Sequence, residues 1–135
     1  MPESETSEDW RDSTGDESMA RAWLRNERLW SASRAAGRGV PEGYDLDLDA
    51  RVLELVQEGD DPERGWHLVL TLLRLAEDEA DFTRVAIGPL ETFLRGYGDA
   101  FYDRIDERVQ SDEAFRRAVW MTMAGWPGPH SRPAE

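Results

Sequence analysis

Pro62-Glu63-Arg64-Gly65-Trp66-His67-Leu68-Val69-Leu70-Thr71-Leu72-Leu73-Arg74-Leu75-Ala76 is the stretch that decides the fold. Trp66, Leu68, Val69, Leu70, Leu72, Leu73, Leu75 and Ala76 surround nearly the whole helical wheel. Only His67, Thr71 and Arg74, spaced i, i+4 and i+7, leave a narrow polar stripe. A helix apolar on almost every side has to be packed on several sides. The spacing predicts a helix over 62–78, opened by Pro62 where a missing N–H is no loss. Burial is worth about 1.5–3 kcal/mol for each large side chain, so this helix is the expected core.

Helical spacing continues on both sides of it. From Asp16, the residues Met19, Ala22, Trp23, Asn26, Leu29, Trp30 and Ser33 share one face, with Arg21, Arg25 and Arg28 opposite, until Gly37-Arg38-Gly39-Val40-Pro41 stops the helix. Tyr44 to Asp49 alternates like a short extended lead-in. Asp47 or Asp49 is the expected cap of a helix over 50–58 that buries Val52, Leu53, Leu55 and Val56. Downstream, a short helix over 79–86 turns Phe82, Val85 and Ala86 inward, and Gly88-Pro89 is read as a break before a helix over 89–97. Gly98 closes that helix, Asp99 caps one over 100–110, and Ser111 or Asp112 caps the last, over 112–124. The expected fold is all-α: a compact bundle of about six or seven short helices, stacked as helical hairpins.

Composition bounds the rest. A chain of 135 residues fits one domain. Residues 16–124 are read as that domain, 1–15 as a disordered acidic tail carrying Trp10, and 125–135 as a flexible Gly/Pro-rich tail. There is no Cys, which removes disulfides and thiolate chemistry, and the histidines are His67 and His130 alone. No apolar run reaches the roughly 18 residues of a membrane span, and no signal pattern opens the chain, so a cytoplasmic protein is expected. All 16 cations are Arg, and the net charge is −13. Residues 1–18 contribute −6 and residues 43–63 contribute −7, which together account for the whole excess. Such a field repels nucleic acid and anionic lipid and favours a partner with a basic surface.

Several marks within residues 50–121 resemble a bacterial family known as domain of unknown function 6869. They are the Asp61-Pro62-Glu63 turn followed by Trp66, the run Gly88-Pro89-Leu90-Glu91, and Phe115-Arg116-Arg117-Ala118. The resemblance implies a small helical bacterial protein and brings no catalytic residues with it. The acidic, Trp-bearing N-terminal extension and the Gly/Pro-rich end depart from the family pattern.

Candidate chemistry is sparse. Asp45, Asp47 and Asp49 imitate the start of a calcium loop, but the sixth position is not Gly and the twelfth is Val56. Glu91, third in a helix opened by Pro89, is expected to complement the positive helix end. Asp99 and Asp103 belong to the solvated acidic face of an amphipathic helix. His67, Thr71 and Arg74 lack a third group to orient a nucleophile and base. No cofactor, metal or catalytic residue is assigned. The expected function is a protein-interaction module of an immunity or regulatory kind. Trp23, Trp30, Asp45, Asp47, Asp49, Asp60 and Asp61 form its candidate interface, because Trp and Arg anchor interfaces and acids steer basic partners. The alternative is a carboxylate-dependent hydrolase or lyase using Glu91, Asp99 and Asp103.

Overall fold

The computed structural model describes residues 16–57 and 60–122. The tails read at 1–15 and 125–135, and the domain limit at 124, lie outside the described residues. Those described form six helices and no strand: α1 (Asp16–Ala35), α2 (Leu46–Gln57), α3 (Pro62–Leu75), α4 over 79–97, α5 (Tyr102–Ser111) and α6 (Glu113–Met121). The all-α bundle expected from periodicity is therefore the observed fold.

α3 is its centre. Leu68, Val69 and Leu72 are fully buried, and α1 and α2 pack along it. Trp66 gathers the rings of Phe93, Phe101 and Phe115 at centroid distances of 5.7, 5.9 and 5.7 Å. Pro62 opens α3 as read, and Asp61 before it is the cap, accepting from the Arg64 N–H at 3.3 Å. It ends at Leu75, before the expected 78, because Asp78 caps the next helix by accepting from the Asp81 N–H at 2.8 Å.

Gly65 lets α2 and α3 touch backbone to backbone. A Cβ placed there would lie 2.5 Å from the Leu55 carbonyl oxygen and 3.4 Å from the Phe93 ring. Gly65→Ala gains about 1 kcal/mol of helix propensity. It is nevertheless expected to destabilise by about 1–3 kcal/mol, since a carbonyl oxygen held in α2 cannot step aside. Urea unfolding checks this; a variant as stable as the parent would mean that the two helices separate freely.

Several expectations are corrected. The lead-in Tyr44–Asp49 is not extended: α2 already begins at Leu46, and its cap is Asp45, accepting from the Leu48 N–H at 3.1 Å, in place of Asp47 or Asp49. Asn26 explains the earlier start. Its side-chain amide donates to the Asp45 carbonyl at 2.9 Å and accepts from the Asp45 N–H at 2.8 Å, so α1 fixes the first turn of α2. Leu53, expected inside, is 50% exposed.

Gly88-Pro89 does not break the chain. Glu79–Val85, Ala86–Leu90 and Glu91–Tyr97 run on as one helix, α4, with Val85, Leu90 and Glu91 all in right-handed helical torsions. The middle segment is a π turn in which the Glu91 N–H reaches back to the Ala86 carbonyl. Pro89 cannot donate, and its ring would press on the carbonyl four residues earlier in a plain α-helix; the wider turn accommodates both defects. Glu91 is therefore mid-helix, away from any helix N-terminus. Finally, α5 starts at Tyr102 with Phe101 at its cap position, so Asp99 caps nothing through its side chain.

Candidate functional site

Two grooves bring together residues from different helices. The smaller, about 230 Å³, lies between α1, α2 and the π turn. Trp23, Val52 and Val56 form its buried floor, while Pro89 and Gly88 wall one side and Leu53 stands on the rim. Two carboxylates face it, Glu27 from α1 and Asp49 from α2. Glu27 is half-buried and makes no hydrogen bond or close ion pair among the described residues. Burial pushes its pKa up and the charge of Asp49 adds to this, while the charge of Arg84 pulls the other way. Asp49 accepts from the Tyr44 hydroxyl at 2.6 Å. Tyr44 is held well above the usual phenol range, first by burial and then by its hydrogen bond to Asp49 and that group's charge. Its ring in turn packs on Trp30, with centroids 5.6 Å apart.

Part of the sequence-predicted interface therefore converges here. Trp23 is floor, Asp49 is wall, and Trp30, half-buried, supports Tyr44 behind Asp49. Asp45 is buried as the α2 cap. Asp47 is exposed on the outer side of α2, and Asp60 and Asp61 lie past its far end, Asp61 being engaged in capping α3. Sequence reasoning missed Glu27, although it sits one helical turn after Trp23 and so belongs on the same side of α1.

The larger groove, about 430 Å³, runs along α3. The stripe His67, Thr71 and Arg74 forms one bank. Arg108, at the end of α5, and Asp112, the cap of α6, form the other. Leu70, Leu73, Phe82 and Phe115 line it from below. The placement of Arg108 at this groove was not legible in the sequence, because only the α5–α6 turn carries it opposite α3. The acids Glu91, Asp99 and Asp103 line neither groove: Glu91 lies 3.1 Å from Arg95, and Asp99 and Asp103 are exposed.

Among the described residues, no group of three or more His, Asp or Glu side chains is placed to hold a metal ion, and no helix is long and apolar enough to cross a membrane. The model of a family described as a family of unknown function, DUF6869, matches residues 48–125, more than half of the chain. Comparisons with curated proteins and with solved structures gave no match.

Proposed function

The chain belongs to the DUF6869 family, and we propose that it is a protein-interaction module of the bacterial cytoplasm whose docking face is the outer side of α2 with the adjoining groove. The partner is a protein presenting a basic segment with apolar residues between its cations. One observation carries this: Glu27 and Asp49 lie at an apolar groove with no arginine among the described residues bonded to either, whereas Arg28, Arg64, Arg104 and Arg117 each bond a carboxylate. Around them, Leu46, Leu53 and Ile87 are 67, 50 and 52% exposed, more apolar surface than solvation of an acidic helix calls for. An incoming Lys or Arg would relieve the like-charge repulsion of Glu27 and Asp49, and the apolar residues beside it would cover Leu53 and Pro89. The −7 carried by residues 43–63 would steer such a segment from a distance.

The test compares the parent chain with Leu53→Glu and with the pair Glu27→Gln/Asp49→Asn in affinity capture from native lysate, followed by titration of the captured protein. Parent chain is expected to retain a stoichiometric partner with a basic surface. Leu53→Glu, a change on an exposed rim, should weaken it at least about tenfold, or about 1.4 kcal/mol. The double variant should lose most of the salt dependence of binding. Affinity should also fall as pH drops through the raised pKa of Glu27, since only the ionised carboxylate receives a cation. Equal capture by all three chains would remove this face from consideration.

A further inference from the structure

The larger groove differs from the rest of the surface in what its arginines do. Arg28, Arg64, Arg104 and Arg117 each hydrogen-bond a carboxylate on another part of the fold: Asp81, Asp16, Glu63 and Glu79. Arg74 and Arg108 are held less closely. Arg74 pairs only loosely with Glu17, at 3.6 Å, a carboxylate that Arg21 already holds at 2.5 Å. Arg108 forms an ion pair with one oxygen of Asp112 at 3.2 Å and uses only one edge of its guanidinium there, while the other oxygen caps α6 by accepting from the Phe115 N–H. Two guanidinium forks thus border one groove with donors still available. Each is pre-shaped for a carboxylate, which it can engage through two parallel N–H bonds.

Beneath them the groove is apolar, and its volume of about 430 Å³ is that of a small-molecule site. A bare inorganic anion would leave Leu70 and Leu73 uncovered, and a polyanion would be opposed by the net charge of −13. A single carboxylate on an aryl or alkyl body satisfies both constraints. We propose that this groove binds a small amphipathic monocarboxylate, its charge bridged by Arg74 and Arg108 and its apolar body laid on the half-buried Leu70 and Leu73. The site is separate from the acidic docking face, and its ligand carries the opposite charge.

The probe is naphthoate, titrated into the full chain and followed by backbone amide shifts, with naphthalenemethanol, naphthylmethylammonium and inorganic phosphate alongside. Naphthoate is expected to saturate in the millimolar range or tighter, shifting Thr71 and Ala114. The ammonium and phosphate should give no saturable shift there. Arg74→Gln/Arg108→Gln changes two exposed side chains, so it should keep the parent helix signal while binding naphthoate at least tenfold more weakly. Equal binding of the neutral alcohol would reduce the site to an apolar patch. Equal binding of phosphate would reduce it to a cluster of cations. Undiminished binding by the folded double variant, or no saturable shift with naphthoate, would also overturn the proposal.

Discussion

Asp81→Ala is expected to lower the stability of the fold by about 3 kcal/mol at neutral pH, the low end of what breaking a buried ion pair costs. Asp81 is 0% exposed and joins three parts of the chain. Arg28 of α1 donates to both of its oxygens, at 3.2 and 2.5 Å. Arg84 of α4 donates at 3.1 Å, and the Glu77 N–H of the α3–α4 turn donates at 3.0 Å. Without the carboxylate, that N–H loses its acceptor and two guanidinium groups face each other. Their partial exposure lets them swing toward water, which is why the low end applies. The loss should depend on pH in a definite direction. Burial by itself would raise the pKa of Asp81, but the bonds from Arg28 and the Glu77 N–H, with the charges of Arg28 and Arg84, outweigh it and hold the group below its ordinary value of 3.8. A carboxylate depressed in the folded state contributes fully above its unfolded pKa and loses that contribution as pH falls through the folded one. The gap between parent and variant should therefore be constant from neutral pH down to about 4 and close below that. Urea unfolding at several pH values measures it; a gap under about 1 kcal/mol at neutral pH would show that Asp81 does not clasp the three segments together.

Trp66→Ala should have the largest effect of any single apolar truncation, about 3–5 kcal/mol. Trp66 is the ring on which Phe93, Phe101 and Phe115 meet, so one indole ties α3 to α4, α5 and α6. Arg104 covers its remaining side, 5.8 Å from the centroid. Against a total stability of roughly 5–15 kcal/mol for a domain, that loss approaches unfolding. The melting temperature should fall by about 4 °C or more for each kcal/mol. Trp66→Phe preserves much of the contact and should lose less than half as much. If the Ala and Phe variants melt together, the aromatic cluster is not what holds α5 and α6 in place.

What sequence alone revealed, and what it did not, divides along physical lines. Period and caps are local, and they showed: α3 with its polar stripe, Pro62 at its start, and Ser111 or Asp112 before α6, of which Asp112 is the cap. Asp45 was passed over because its partner, Asn26, is 19 residues away and becomes a neighbour only when α1 lies on α2. Leu53 looked internal on its own helix, but no other helix among the described residues covers that side. Gly88-Pro89 misled for a different reason, since the pair does stop most helices. The apolar spacing still contained the answer. Phe82, Val85 and Ala86 are succeeded by Leu90, Phe93 and Leu94, the same triplet repeated eight residues on, where two α-turns would bring it round after about seven. A one-residue slip at constant burial is what a π turn leaves in a sequence. The grooves were out of reach of such reasoning, because each is walled by helices far apart in the chain.

That slip also bears on how the chain can change over generations. A π turn is one residue more than the helix needs, with the segments on either side kept in phase as though it were missing. At 86–90 the length of the polypeptide is uncoupled from the orientation of residues 91–97. A relative lacking a counterpart of Gly88 could run straight from Phe82 to Tyr97 as ordinary α-helix with the same side chains turned inward. A residue lost elsewhere in α4 would rotate everything after it by about 100° and expose Phe93. The turn is thus a seam where inheritance can add or remove a unit of chain without disturbing the interior.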